Sequence, residues 1–162
     1  MGDVVKDKGA IISKCGRYRY SLWRLWDLSL PTMVFVMLNP STADAEHDDP
    51  TIRRCLERAR REHGGLEVVN LFALRSTDPD MLYDRSAVDA IGPENDTHIA
   101  AAVRSACMVI CAWGNHGALH DRGHSVRDLI LARQQPWHLG LTKIGQPRHP
   151  LYLPKATEPQ HW

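Results

Sequence analysis

The chain has 162 residues, of which 43% are hydrophobic and 24% charged, and its formal net charge is +1. That length holds one hydrophobic core and is short for two, so a single α/β domain over residues 1–162 is expected. Ordinary apolar content excludes a disordered chain, near-neutrality excludes the basic excess of a tight non-specific DNA binder, and no apolar run reaches the roughly 18 residues of a membrane span.

Residues 1–12 are mostly polar and read as a loose lead-in. The opening Met1-Gly2-Asp3-Val4-Val5-Lys6 lacks the charged and apolar regions of a signal peptide, so a cytoplasmic location without membrane contact is expected. From Arg17 to Trp26 aromatic residues interleave with arginine, the pattern of an edge strand or hairpin arm. The same alternation also suits phosphate gripping and base stacking. After Pro31, Met33-Val-Phe-Val-Met-Leu38 is an unbroken apolar run, as in a strand buried on both faces. It is closed by Asn39-Pro40-Ser41-Thr42-Ala43-Asp44 and an acidic turn ending at Asp48-Asp49.

Asp49-Pro50 reads as an N-cap with proline at the first helical position, and Ile52, Cys55, Leu56 and Ala59 recur at helical spacing toward Gly64-Gly65. The other face carries Arg53, Arg54, Arg58, Arg60 and Arg61, a solvated surface or a phosphate contact. Leu66–Leu71 is the next strand, delivering Asn70 near its end and Phe72 just beyond. Gly92-Pro93-Glu94 starts a helix with Ile99, Ala102 and Val103 inward; Cys107–Trp113 is a third buried strand ending at Gly114-Asn115. A helix over about Ser125–Ala132 and a strand around Trp137–Leu141 precede His149-Pro150-Leu151-Tyr152-Leu153.

This alternation predicts a three-layer αβα fold with a central, mostly parallel four-stranded sheet plus the N-terminal edge strand or hairpin. Ligands in such sheets sit beyond the carboxyl ends of the strands, where Asn39-Pro40-Ser41, Asn70, Trp113-Gly114-Asn115 and His149-Pro150 fall. The chain has no dinucleotide fingerprint and no Walker loop, and no cofactor is expected. The four cysteines, Cys15, Cys55, Cys107 and Cys111, form no CxxC pair and read as reduced structural thiols. His116, His120 and His124 are spaced to share a helix face for a metal, but Gly117 and Gly123 interrupt the segment, and no metal site is assigned.

Met-Leu-Asn-Pro-Ser-Thr-Ala-Asp, Val-Val-Asn-Leu-Phe-Ala-Leu-Arg, Ala-Trp-Gly and His-Pro-Leu-Tyr-Leu together resemble the domain-of-unknown-function 1643 family over nearly the whole chain. A more distant resemblance is to the uracil-DNA glycosylase superfamily. Asn39-Pro40 is similar to its first motif, Asn70 to its base-reading asparagine, Ala112-Trp113-Gly114 to its Leu-Trp-Gly strand end, and His149-Pro150 to its late motif. The resemblance implies a small parallel sheet and hydrolysis of an N-glycosidic bond in nucleic acid or a nucleotide. Two departures stand out: Met37 replaces the glycine that opens the first motif, and the aromatic residue that stacks on the base is missing. Phe72, Tyr83 or His47 has to take its place.

Cleaving an N-glycoside needs a group to hold water, donors for the departing base, and a shape that holds the base. The resemblance gives Asn39 the water, His149 a hydrogen bond to the base oxygen, and Asn70 the base edge. Pro40, Ser41, Asp44, Phe72 and Asn115 complete the expected binding residues, with Leu151, Tyr152 or Leu153 as a wedge into a base stack. An amide takes no proton at neutral pH, so Asn39 is no general base. Each residue also has a plainer role: turn chemistry for Asn39, backbone satisfaction for Asn70, a loop position for His149, and core for the Leu-Tyr-Leu run. Two further readings therefore stay open. One is a non-catalytic nucleotide or nucleic-acid binding module of the same fold. The other is a metal-assisted hydrolase using Asp44, His47, Asp48 and Asp49.

Overall fold

The computed structural model describes residues 4–162 and is a mixed α/β fold with one sheet of seven strands and four helices among those residues. The strands are β1 (Asp7–Ile12), β2 (Arg19–Leu25), β3 (Thr32–Met37), β4 (Gly65–Asn70), β5 (Met108–Cys111), β6 (Trp137–His138) and β7 (Gln160–His161). They lie in the order β1-β2-β4-β3-β5-β6-β7. The run β4-β3-β5-β6 is parallel, and β1, β2 and β7 add antiparallel pairs at the two sides. The helices are α1 (Pro50–Ala59), α2 (Ala87–Ile91), α3 (Asn95–Ser105) and α4 (Arg122–Leu131). None is long and apolar enough to cross a membrane among the described residues.

The central strands carry apolar residues on both faces because both are covered. Along β3, Met33, Phe35 and Met37 join the cluster that packs on α1, while Val34 and Val36 join the cluster under α3 and α4. Strand β5 divides likewise, with Ile110 toward α1 and Val109 and Cys111 toward α3. Fully burying one such side chain contributes about 1.5–3 kcal/mol, so this strand cannot slip by one residue without exchanging its faces at large cost. Helix α1 starts where expected: the Asp49 carboxylate accepts from Ile52 N at 2.8 Å, and Pro50 follows. It ends at Ala59 rather than at the glycines. Gly64 serves a close approach instead, since a Cβ there would collide with the Asp27 carbonyl.

Three expectations change. Residues 7–12 of the segment read as loose form β1, because main-chain pairing with β2 needs little apolar alternation; Met1–Asp3 lie outside the described residues. The four expected sheet strands plus an arm become seven, with β7 only two residues long and too short for any periodicity to mark. The N-terminal arm β2 is also bulged. Ile11 opposes Ser21 and Ile12 opposes Arg19, leaving Tyr20 as the extra residue. An inserted residue breaks strict alternation. Tyr18 and Tyr20 consequently face α3, where Tyr20 stacks on His98 at 5.0 Å, whereas Leu22 packs on the α1 side.

Candidate functional site

A cavity of about 420 Å³ opens at the carboxyl end of the parallel strands, between the start of α1 and the loops after β3, β4 and β5. Asn39, Asn70, Trp113-Gly114 and His149 all line it, so the four strand ends picked out in the sequence converge on one space. Ser41, Leu151 and Tyr152 line it as well. The depth of each group follows from its exposure: Asn70 is 2% exposed and sits at the floor, while Tyr152 at 80% stands on the rim.

The hydrogen bonds of these side chains differ in kind. Asn39 Nδ2 donates to the carbonyls of Pro40, Leu74 and Ser76 at 3.2, 3.4 and 3.0 Å. Carbonyls accept only, so the amide nitrogen is fixed on that side and Oδ1 is left for the cavity. Asn70 makes no side-chain hydrogen bond among the described residues, and its buried Oδ1 has no partner. A buried polar atom without a partner costs about 1–3 kcal/mol, and at Asn70 that atom belongs to a side chain lining the cavity. His149 Nδ1 accepts from Leu151 N at 3.2 Å. In the neutral ring the proton is therefore on Nε2, which is a donor. Burial pushes the His149 pKa down from its ordinary 6.5, against the pull of Asp49, and favours that neutral form.

The strap bearing His149 is held from two sides. Gly114, at φ 73°, turns the chain out of β5 so that its N–H donates to the Pro147 carbonyl at 2.7 Å. Arg54 and Arg58 on α1, with Arg61 in the turn after it, donate to the carbonyls of Leu153, Thr157 and Lys155. Three of the five arginines read as solvated or phosphate-facing thus clamp the strap. Arg53 donates to the Asp48 carbonyl, and Arg60 lies over the Trp26 ring at 4.7 Å.

The remaining expected residues lie elsewhere. Pro40 is buried beside the cavity, where its carbonyl accepts from Asn39 and from Ser76 N. Asp44 closes its own turn, accepting from the backbone of Glu46 and His47, which lowers its pKa to about 2. Phe72 is fully buried in the α3-side core and cannot stack on a ligand; Asn115 is exposed outside the lining. Leu153, named with the wedge residues, is core at 5% exposure. Phe72, Tyr83 and His47 are outside the lining among the described residues, although the Tyr83 hydroxyl lies 3.0 Å from Nδ1 of the lining His116. The aromatic rings that do line the cavity are Trp113, Tyr152 and two histidines, His116 and His149.

Two lining residues have a chemistry that the sequence pattern hid. Asp49 caps α1 through Oδ1 and also faces the cavity, the only carboxylate in its lining among the described residues. Arg19 lines it too, although it is 2% exposed. Its single side-chain hydrogen bond runs from Nη1 to the Ala43 carbonyl at 3.0 Å, and its buried Nε has no partner. Burial brings its pKa down to about 10, with Asp49 opposing. The bulge at Tyr20 explains why alternation could not assign Arg19 to this face.

Metal ligation finds no donor set. Among the described residues no three His, Cys, Asp or Glu side chains gather to hold an ion. Asp48 pairs with the buried Arg24 at 2.9 Å, Asp44 bonds its own turn, and Asp49 caps α1, so the acidic cluster is dispersed. His116 and His124 are separated by a kink at Leu119-His120, where φ of His120 is 54°, so the three histidines share no continuous helix face. All four cysteines are free thiols, Cys55 and Cys111 buried and Cys15 and Cys107 exposed.

A family model described as "Protein of unknown function (DUF1643)" matches residues 19–151. The chain belongs to the DUF1643 family. The matched DUF1643 region runs from the buried Arg19 to Leu151 on the strap, so it takes in every cavity group described above except Tyr152. No curated protein and no solved structure matches the chain.

Proposed function

We propose that this DUF1643 protein binds a nucleobase in the cavity and hydrolyses its N-glycosidic bond, with the base carried by nucleic acid or by a nucleotide. The observation that carries the reading is the meeting of three groups of complementary chemistry in one cavity: the unpartnered Asn70 amide at the floor, the free Oδ1 of Asn39, and His149 with Nε2 as donor. A cavity of about 420 Å³ is within the usual range for a small organic ligand, roughly 300–1,000 Å³. The parallel run β4-β3-β5-β6 agrees with the small parallel sheet that a distant uracil-DNA glycosylase resemblance implies.

In this reading Asn70 matches a base edge with one donor and one acceptor, which satisfies its buried oxygen. The bond from the anomeric carbon to the base nitrogen breaks and its electron pair leaves with the base. His149 Nε2–H donates to the base oxygen as charge grows there. A water held by Asn39 Oδ1 forms the new bond to the anomeric carbon. Its proton goes to Asp49, the carboxylate of the cavity, in the role the Asn39 amide cannot fill. The test is mass-spectrometric product analysis after incubation with single- and double-stranded oligonucleotides and free nucleosides containing uracil, hypoxanthine or bulky modified pyrimidines. Released free base, lost in Asn39→Ala and reduced at least about tenfold in Asp49→Asn, is the expected result. No release from any substrate defeats the reading.

The non-catalytic binding module is favoured by one specific observation: the water-holding position is an asparagine whose nitrogen is locked onto three carbonyls. Tight binding without product in that assay is its signature.

A further inference from the structure

We propose that Arg19 forms an oxyanion subsite on the cavity floor, so that the site selects ligands presenting an anionic oxygen beside the edge bound by Asn70. The inference rests on the reading that the cavity takes a base, but not on its being cleaved there. A guanidinium has five N–H donors, and among the described residues this one uses a single donor, to the Ala43 carbonyl. The remainder includes a buried Nε with no partner. Burying a cation this completely is costly unless it is paired, and no salt bridge reaches Arg19 among the described residues. The charges acting on it are of both signs, Asp49 and Asp44 against Arg75 and Arg24, and neither carboxylate makes a salt bridge to it among the described residues.

The backbone adds an independent observation. The bulge at Tyr20 reverses the facing of β2, and that reversal brings Arg19 to the α1 side, where the cavity lies, while its tyrosine neighbours stay in the α3-side core. Bulges recur beside active sites because they re-aim one side chain. The chemical class that fits is an oxygen carrying negative charge. In the proposed reaction this is the lactam oxygen of a base departing as its anion: the C–N bond pair delocalises onto that oxygen, and Arg19 stabilises it without giving up a proton. A phosphate oxygen is the other source of the same chemistry.

The experiment measures binding, apart from cleavage, by calorimetry at pH 7 with four probes: uracil, 5-nitrouracil, whose ring N–H is ionised at that pH, inorganic phosphate, and deoxyuridine monophosphate. Wild type is compared with Arg19→Lys and Arg19→Met, each checked by its melting curve. The subsite predicts that 5-nitrouracil binds wild type about tenfold or more tightly than uracil, a charged hydrogen bond being worth that much. Arg19→Lys keeps part of this preference and Arg19→Met loses it. If phosphate is instead the probe whose binding falls in Arg19→Met, the subsite stands and its source is a nucleotide phosphate. Equal affinity of wild type for uracil and 5-nitrouracil, together with no phosphate binding, overturns the proposal even if Arg19→Met fails to fold. Anion preference without base release in the product assay leaves the subsite standing and defeats the cleavage reading.

Discussion

On the α3 side of the sheet, Asn95 is fully buried and its Nδ2 donates to the carbonyls of Asn70 and Leu71 at 2.9 and 3.0 Å, while its Oδ1 has no partner. Beside it the buried Arg122 donates through Nε to the same Leu71 carbonyl at 2.8 Å and pairs with Asp96. On the α1 side Asn70 is also buried, at 2% exposure, yet makes no side-chain hydrogen bond among the described residues, and Arg19 makes one. The same residue types thus do opposite work. Asn95 and Arg122 tie the end of β4 to α3 and α4, whereas Asn70 and Arg19 present unused donors and acceptors to a cavity. An unpartnered buried atom alone does not separate them, since Asn95 Oδ1 lacks a partner too; the difference is that Asn95 and Arg122 spend their donors on main-chain carbonyls, whereas Asn70 and Arg19 line a cavity at the strand ends, where ligands sit in such sheets.

The comparison breaks most readily at Asn95. Asn95→Ala removes two buried hydrogen bonds, taking the side-chain donor from the Asn70 carbonyl and leaving the Leu71 carbonyl to Arg122, and is expected to cost about 2–4 kcal/mol, read as a fall in the urea midpoint. Ligand affinity per folded molecule should stay near wild type. Arg58→Ala comes next. Removing a buried clamp from the strap costs about 1–3 kcal/mol, and because the strap carries His149, catalytic turnover should fall further than stability alone explains. An unchanged turnover would mean that the clamp is only structural.

The pH dependence sharpens the same contrast with a smaller effect. Burial lowers the pKa of His149, His63 and His138 from 6.5, so below that pH the unfolded chain binds more protons than the folded one. Stability is therefore expected to fall as pH drops through and below 6.5, with melting temperatures recorded from pH 8 to pH 5. His149→Gln should flatten that dependence in part. Activity should decline on the acid side at a pH below 6.5, where the neutral His149 ring finally charges and leaves its Nδ1 contact to Leu151.

Much of this was legible in the sequence where the physics is local. Apolar runs of the right length gave β3, β4 and β5, and Asp49-Pro50 marked the start of α1, because burial on two faces and capping leave direct traces in composition. The strand-end residues Asn39, Asn70 and His149 were readable for the same reason, since each follows an unmistakable strand or precedes a proline. What escaped depends on long-range pairing. Strand β1 exists through its partner β2, and β7 through β6, so neither has a periodicity of its own. Arg19 was hidden by a bulge that flips the facing of one strand, and the role of Arg54, Arg58 and Arg61 required knowing that residues 153–157 return over α1. Phe72 was expected at the ligand because it follows Asn70 closely, but as Leu71 and Phe72 leave β4 they turn into the α3-side core.

The most direct test is the rate of free-base release by Asn70→Leu, measured beside its own melting curve. Replacing an unsatisfied buried amide with an apolar group of similar size removes a penalty, so the account predicts a variant that melts at or above the wild-type temperature yet releases no base and binds none. A variant that melts well below wild type while still releasing base at the wild-type rate would contradict it, because Asn70 would then be a structural residue and the cavity no base site.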